Sequence, residues 1–264
     1  MTLQNTIKKS VFVFLASLLF VGTIFAADIH VITSGAFAEA LKTLVPEYEK
    51  QSPNKVMISY GSSMGAAPDA IPARLGRGEK FDVLILAGPA LDDFIKSGAV
   101  QAGTRVDLVA SVMGAVVKAG APKPDISTMQ KLRQALINAK SVAHSASASG
   151  VYLSTELFPK MGIAEHMNKT ANKIHSERVA SVVARGDAEL GFQQVSELLP
   201  IPGVEFIGEL PPEAQKTVLF SAGITTNVSN LNASRDLIAF LASPKAAPTI
   251  QKAGLKPVLP SLPW

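Results

Sequence analysis

The chain has 264 residues, of which 47% are hydrophobic and 17% charged, and it contains no cysteine. This composition is typical of a globular protein, and it excludes disulfides, zinc–thiolate sites and a cysteine nucleophile. The formal net charge of +4 falls to +2 without the two lysines of residues 1–26, which is too small to indicate a nucleic-acid partner.

The N-terminus has the three parts of a secretory signal peptide. The basic pair Lys8-Lys9 precedes the apolar run Val11–Val21, and small residues follow at Ala26 and Ala27. We therefore expect residues 1–26 to be removed and the mature protein to be free in the periplasm. An uncleaved membrane anchor is the alternative, although the apolar run is short for a span of about 20 residues.

The first half of the mature chain alternates β-rich runs with helical patterns. Apolar residues at helical spacing predict a helix from Phe37 to Tyr48. The other predicted elements are strands at Asp28–Ser34, Lys55–Tyr60 and Phe81–Ala87, a helix at Pro89–Lys96, and a long β-rich stretch at Val106–Lys118 interrupted at Gly114.

The second half repeats this alternation. Ser127 and Gln130 form a capping-box pattern at the start of a helix, and two proline-rich loops follow Gln193. The remaining predicted elements are strands at Ser141–Ser145, Lys173–Ser176, Glu189–Gln193 and Val218–Thr226, and helices at Val151–Met161, Val179–Arg185, Leu231–Leu241 and Pro244–Lys252. Strands alternating with helices predict an α/β protein with mostly parallel sheets, and this length favours two lobes.

Three strand-to-helix junctions are rich in small hydroxyl residues: Ser34-Gly35, Ser62-Ser63 and Ser147-Ala148-Ser149-Gly150. Ligands of parallel α/β sheets bind beyond the carboxyl ends of the strands, where such junctions gather. Helix N-termini there offer free N–H groups and a partial positive charge to an anion. The alternative is that each serine is only a helix cap.

Other polar residues are weaker candidates. Arg74 could bind a carboxylate in a cleft or belong to a solvated turn. His144 ends a strand beside the serine-rich turn, and Tyr152, Gln193 and Gln194 lie at junctions. The four histidines show no metal-ligand spacing, so we expect neither a metal nor a cofactor.

The order and spacing of several motifs resemble the periplasmic molybdate-binding protein family. They are Thr33-Ser34-Gly35, Tyr60-Gly61-Ser62-Ser63, Phe81-Asp82-Val83-Leu84, Ser149-Gly150-Val151-Tyr152 and the segment 186–192. The resemblance implies a two-lobed type II solute-binding fold with the ligand clamped in a cleft between α/β lobes. It also implies that lobe 1 comprises residues 27–110 and 215–264, and lobe 2 residues 111–214.

The same resemblance implies contacts from Ser34, Ser63, Ser149 or Gly150 with Val151, and the residue after Gln193. Where the family tends to have tyrosine, this chain has the amides Gln193 and Gln194, and the additional segment 64–72 is expected to line the cleft. With the junction residues, the predicted ligand-binding set is Ser34, Gly35, Ser62, Ser63, Met64, Arg74, Ser147, Ser149, Gly150, Val151, Tyr152, Gln193 and Gln194.

Other stretches resemble a side branch of this fold, the periplasmic aconitate isomerases. These stretches are Ser63-Met64-Gly65, the segment 70–75, the segment 147–152 and the segment 191–198. An arginine with several hydroxyl and amide donors suits a tricarboxylate, and isomerisation needs a group that removes and returns a proton. His144, Tyr152 and Glu197 are the candidates for that group.

Three hypotheses follow. The leading one is a monomeric periplasmic protein that clamps a small multiply charged anion, an oxyanion or a di- or tricarboxylate, for an ABC-type permease. The second is an isomerase that interconverts trans- and cis-aconitate in the same cleft by proton transfer. The third is an adaptor that contacts only other proteins.

Overall fold

The computed structural model describes residues 26–264, so residues 1–25, which carry most of the predicted signal peptide, lie outside the described part. Within residues 26–264, no helix combines the length and the apolar character needed to cross a bilayer.

Eleven strands within the described residues form two sheets. They are β1 (Asp28–Thr33), β2 (Lys55–Tyr60), β3 (Val83–Ala87), β4 (Val106–Ser111), β5 (Met113–Lys118), β6 (Val142–Ser145), β7 (Ala171–Ile174), β8 (Leu190–Gln194), β9 (Val204–Glu209), β10 (Val218–Ile224) and β11 (Lys256–Pro257).

Helices cover both sheets. They are α1 (Gly35–Glu49), α2 (Ile71–Gly76), α3 (Gly88–Lys96), α4 (Met129–Asn138), α5 (Ala148–Tyr152), α6 (Phe158–Lys160), α7 (Ala164–Thr170), α8 (Val179–Arg185), α9 (Val195–Leu198), α10 (Leu231–Leu241) and α11 (Ala247–Lys252). A π-helical turn at Leu153–Leu157 joins α5 to α6, and a 3-10 turn lies at Pro212–Ala214.

The first sheet has the strand order β11-β4-β10-β3-β1-β2. Strand β3 is buried on both faces, and successive side chains of a strand point to opposite faces. Val83 and Ile85 accordingly belong to the core shared with α1 and α10, whereas Leu84 and Leu86 belong to the core under α3. A strand covered on both faces must be apolar throughout, which explains the run at Phe81–Ala87.

The second sheet has the order β7-β6-β8-β5-β9 and is built in the same way. Met113, Ala115 and Val117 of β5 face the core that contains Phe192, whereas Val116 faces the core under α8. These two sheets with their helices are the two lobes, so the predicted two-lobed α/β fold class is confirmed.

The sheets are mixed rather than mostly parallel. In the first sheet, β1 pairs in parallel with β2 and β3, whereas β10 runs antiparallel to β3 and β4. In the second sheet, β6 pairs in parallel with β7 and β8, whereas β5 runs antiparallel to β8 and β9. Strands β5 and β10, which follow the two chain crossings between the sheets, are antiparallel to their neighbours, and β11 is antiparallel to β4.

The predicted stretch Val106–Lys118 is two strands in different sheets, and the break falls at Val112 rather than at Gly114. Gly114 lies inside β5, paired with Gln193 and Glu209. A Cβ atom at Gly114 would lie 2.5 Å from the Phe206 ring, so the glycine makes room for a side chain of β9 instead of ending the strand.

Two connections join the lobes, one from β4 to β5 and the other from β9 to β10. The Val195 N–H donates to the carbonyl oxygen of Val112 over 3.0 Å. The Gln215 amide accepts from the Met113 N–H over 2.8 Å and donates to the Met113 carbonyl over 2.9 Å. The exact lobe boundaries at residues 110/111 and 214/215 stay predictions.

Two local predictions were wrong. The N-cap of α4 is Thr128, whose Oγ1 accepts from the Lys131 N–H over 3.2 Å, so Ser127 and Gln130 do not form the predicted capping box. Strand β9 lies where only proline-rich loops were predicted, because the prolines at 200, 202, 211 and 212 flank the strand instead of interrupting it.

The close packing of α5 on β6 gives a stability prediction. A Cβ atom at Gly150 would lie 1.6 Å from the Ser145 carbonyl oxygen, whereas one at Gly76 meets nothing within 4 Å. We expect Gly150→Ala to lower the free energy of unfolding by about 1–3 kcal/mol, because the backbone must move. Urea unfolding measures the loss, with Gly76→Ala as the matched helical control; equal stability of the two variants would contradict this packing.

Candidate functional site

A cavity of about 420 Å³ lies between the two lobes, within the size range of small-molecule sites. Its walls come from the carboxyl ends of β1 and β2 in one lobe and of β6, β7 and β8 in the other, together with the helices that follow them. Lobe 1 contributes Ser34, Gly35, Glu39, Lys42, Ser62, Ser63 and Asp69, and lobe 2 contributes Ser145, Ser147, Ser149, Ser176, Arg178, Gln193, Gln194 and Glu197.

The start of α1 forms the lobe 1 wall. Ser34 is its N-cap residue, with extended backbone and no side-chain capping bond. The Ser34 hydroxyl is buried, and no described residue provides it with a hydrogen-bond partner. Ser63 is buried beside it and accepts from the Ala87 N–H over 3.1 Å. The helix N-terminus and the unpaired hydroxyl therefore offer donors to an anion.

The start of α5 and the end of β8 form the lobe 2 wall. Ser147 is the N-cap of α5, and the hydroxyls of Ser145 and Ser149 lie 3.0 Å apart. The side-chain Oε1 of Gln194 accepts a hydrogen bond from the Ser111 hydroxyl over 2.8 Å. The buried Nε2 of the same amide has no partner among the described residues. An unpaired buried N–H₂ group lining a cavity is a donor that a ligand can satisfy.

Glu197 is a carboxylic acid between the lobes. Its Oε1 accepts from Gln193 Nε2 over 2.8 Å, and Gln193 Oε1 accepts from the Val179 N–H over 3.0 Å. A Cβ atom at Gly35 would lie 2.0 Å from Glu197 Oε1, so the absence of a side chain at Gly35 provides the space for this carboxyl group. Burial raises the pKa of Glu197 to about 7, against the smaller effects of Arg178 and Gln193.

Several charged groups in and around the cavity are paired. Arg178 Nη2 lies 3.0 Å from Glu39 Oε1, which is an ion pair from one lobe to the other. Glu177 is bound by both Arg185 Nη atoms, and Asp69 accepts from the Ser176 hydroxyl over 3.1 Å. Within residues 26–264, no cluster of three histidine, aspartate or glutamate side chains could hold a metal ion.

The structure brings together most of the predicted site residues but not all of them. Those that line the cavity are Ser34, Gly35, Ser62, Ser63, Ser147, Ser149, Gln193, Gln194 and Glu197. Those outside its lining are Met64, Arg74, His144, Gly150, Val151 and Tyr152. Asp69 of the additional segment 64–72 reaches the cavity, whereas Met64 packs against the core under α3.

Arg74, for which a cleft position and a turn position were both open, lies outside the cavity lining and is held within lobe 1. Arg74 Nε donates to Glu79 over 2.8 Å, and Nη1 donates to the Tyr60 carbonyl over 3.0 Å. The guanidinium also lies 5.1 Å from the centre of the Phe81 ring. Glu79, five residues further along the chain, thus holds Arg74 in lobe 1 beside β2.

His144 and Tyr152 lie outside the cavity lining. His144 is buried, with Nδ1 3.1 Å from the Ser145 carbonyl oxygen, and burial lowers its pKa. The Tyr152 hydroxyl donates to the Ala214 carbonyl over 3.0 Å, and burial raises its pKa. Of the three predicted proton carriers, Glu197 is the one that lines the cavity.

The sequence prediction missed Glu39, Lys42, Ser176 and Arg178. Arg178 is the N-cap residue of α8 and directly precedes a predicted helix, at the same kind of strand-to-helix junction as the serine-rich turns. That position was a usable signal. Glu39 and Lys42 lie within the first two turns of α1, where nothing in the sequence distinguishes them from solvated helix residues.

The sequence is similar to those of known solute-binding proteins. Residues 29–256 match the family described as bacterial extracellular solute-binding protein. Over 228 residues the chain is 46% identical to an aconitate isomerase from a Pseudomonas species, covering 86% of this chain and 87% of that protein.

Solved structures show the same fold at low identity. The periplasmic molybdate-binding protein of Azotobacter vinelandii superposes with a TM-score of 0.70 at 22% identity, covering 88% of this chain and 100% of that one. The sulfate-binding protein SubI of Mycobacterium tuberculosis H37Rv gives 0.70 at 17% identity, covering 89% and 88%. At such identities the likeness shows the fold alone.

The raised pKa of Glu197 predicts a pH-dependent stability. The folded carboxyl keeps its proton up to about pH 7, whereas an unfolded glutamate loses it near its ordinary value of 4.5. The stabilisation from this group is therefore complete below the unfolded pKa and is lost as pH rises through the folded pKa. Relative to Glu197→Gln, we expect the wild type to lose about 1–3 kcal/mol of unfolding free energy between about pH 4.5 and 7.5.

Urea unfolding at the two pH values measures this difference. Glu47→Gln, on α1 and outside the cavity lining, is the matched control and should follow the wild type. Identical pH profiles for the wild type and Glu197→Gln would show that the carboxyl group is not desolvated.

Proposed function

This chain belongs to the family of bacterial extracellular solute-binding proteins, and we propose that its cleft binds a tricarboxylate of the aconitate class and interconverts the trans and cis forms. The predicted resemblance to the molybdate-binding proteins and to their aconitate isomerase side branch is confirmed by the relatives. Binding of a small anion is common to both leading hypotheses, and the question is whether the cleft also catalyses.

The observation that carries the proposal is the Glu197 carboxyl group in the cavity wall. Its pKa of about 7 allows it to be ionised or protonated at neutral pH, as a group that both accepts and returns a proton must be. The 46% identical relative named an aconitate isomerase supports the same reaction class.

The proposed reaction is a proton shift along three carbons. The Glu197 carboxylate takes a proton from the methylene carbon, and the electron pair left behind spreads over the adjacent double bond. Glu197 then returns the proton to the far carbon of that system, so that the double bond moves by one position and can form with the other geometry. No electron is gained or lost, and the carboxylate is regenerated.

Neutral donors and one guanidinium would hold the three carboxylates of the substrate. Ser34 Oγ and Gln194 Nε2 are buried without partners among the described residues, and Arg178 carries the guanidinium. The N-termini of α1 and α5 add partial positive charge. These groups surround Glu197 from both lobes, so a ligand held by them lies against the proton carrier.

The direct test is incubation of the mature protein with trans-aconitate, followed by chromatography for the cis form. We expect the two forms to approach equilibrium at a rate proportional to the protein concentration. If the purified protein binds the tricarboxylate without converting it, the isomerase proposal is wrong and the function that remains is ligand binding.

Glu197→Gln is expected to lower the turnover rate by about 10²–10⁴-fold, because the amide cannot accept the proton. Its affinity for propane-1,2,3-tricarboxylate, a saturated analogue that cannot isomerise, should change little in calorimetry. Tyr152→Phe is the control, since the Tyr152 hydroxyl is bound to Ala214 outside the lining. If Tyr152→Phe is inactive and Glu197→Gln is active, the role of Glu197 is refuted.

Capture of a small oxyanion for transport is the second candidate. The convergence of Ser34, Ser147 and Ser149 at helix starts with Ser63 of the loop after β2 favours it, because hydroxyl and N–H donors suffice for a compact dianion. Molybdate-binding and sulfate-binding proteins share this fold. Calorimetry with molybdate, tungstate and sulfate tests it, and tight binding of one of them without tricarboxylate turnover would favour transport.

We also propose that the chain is exported to the periplasm through cleavage after Ala26 and that an ABC-type permease is its partner if it delivers a ligand. The match to an extracellular family supports export. Mass determination of the N-terminus from a periplasmic extract tests the cleavage site.

A further inference from the structure

An ion pair between Glu39 and Arg178 crosses the cleft. Glu39 lies on α1 in lobe 1, and Arg178 directly precedes α8 in lobe 2. Arg178 Nη2 is 3.0 Å from Glu39 Oε1, and both side chains are partly buried, with exposures of 25% and 35%. Both also line the cavity.

Arg178 is the one arginine that lines the cavity among residues 26–264. A guanidinium recognises a carboxylate best through two parallel N–H groups. In Arg178, Nη2 binds Glu39, and Nη1 lies 3.4 Å from the backbone carbonyl of Glu197. A ligand carboxylate that is to use the guanidinium fully must therefore compete with the Glu39 carboxylate.

Glu39 lies about one turn beyond the start of α1. Gly35 is the first residue of α1 and Glu39 is four residues later, which is about 6 Å along the helix axis. A compact oxyanion has a single charged centre, so one held at the helix start by Ser34 has no second carboxylate to offer to Arg178. A ligand with several carboxylates separated by carbon atoms can place one at the helix start and another at Arg178.

We propose that Glu39 is a specificity-determining residue: it holds Arg178 until a carboxylate of the ligand takes its place, so that binding exchanges one carboxylate on Arg178 for another. This inference rests on the proposed tricarboxylate function. Glu39 thus limits which ligands can bind to Arg178. A ligand that cannot replace the Glu39 carboxylate leaves the ion pair intact and gains no affinity from the guanidinium.

The charge of the neighbourhood supports this assignment. Glu39 faces Arg178 across the cleft, with Lys42 three residues along its own helix and the Glu197 carboxyl nearby on α9. A second carboxylate brought to Arg178 beside Glu39 would add like-charge repulsion at short range. Replacing Glu39 by a neutral side chain removes both this repulsion and the competition for the guanidinium.

The test is calorimetry with propane-1,2,3-tricarboxylate on four proteins: wild type, Glu39→Gln, Arg178→Gln and the double variant. We expect Glu39→Gln to bind about fivefold to tenfold more tightly than the wild type. In the Arg178→Gln background the same change should improve affinity by less than about twofold, because there is no guanidinium to release. Glu47→Gln, two turns further along α1 and outside the lining, is the control and should match the wild type.

The outcomes separate this inference from the function on which it rests. If the wild type binds the tricarboxylate but Glu39→Gln binds it equally or more weakly, the ion pair only holds the lobes together and the inference is overturned. If Glu39→Gln raises the affinity equally in the Arg178→Gln background, the inference is also overturned. The loss of one negative charge from the cleft then explains the higher affinity. If the wild type binds no tricarboxylate at all, the proposed function falls and the inference with it.

Arg178→Lys, which keeps the charge but loses the planar fork, replaces Arg178→Gln if that variant does not fold.

Discussion

The close approach of Gly35 to the carboxyl group of Glu197 is the contact on which the chemistry of the cleft depends. Gly35 begins the first helix of lobe 1, and Glu197 belongs to the short helix after β8 in lobe 2. Because glycine has no side chain, the carboxyl group can lie directly against the helix start. Burial raises the pKa of Glu197 at this contact between the lobes.

The cleft does not rely on an excess of positive charge. Its lining includes the carboxylates of Glu39, Asp69, Glu177 and Glu197 but only the cations Lys42 and Arg178, with His175 beside them, among the described residues. A strong positive field would attract many anions, whereas paired charges and oriented neutral donors favour a ligand whose shape matches them. Selectivity in this cleft therefore depends on which donors a ligand can reach at once.

The connections between the lobes are coupled to the site through Gln194. Its side-chain Oε1 accepts a hydrogen bond from the hydroxyl of Ser111 at the end of β4, directly before the chain crosses to the second lobe. Its Nε2 lies in the cavity wall without a described partner. This one side chain thus contacts both the crossing and the cavity. Movement of the lobes about the two crossings would carry this donor with it, as expected for a fold that closes around its ligand.

The sequence by itself determined the α/β architecture, the resemblance to solute-binding proteins and the serine-rich wall of the site. Alternating apolar runs and helical spacing are local patterns, and the ends of parallel strands gather at one edge, so Ser34, Ser63 and Ser149 could be predicted as neighbours. Only the tertiary structure determined the partners of the charged groups. Arg74 lies near the cleft but donates to Glu79, and Arg178 forms an ion pair with Glu39 of the opposite lobe. Glu197 could be named as a candidate but not chosen, because its raised pKa comes from burial, and burial depends on segments that are distant in the sequence.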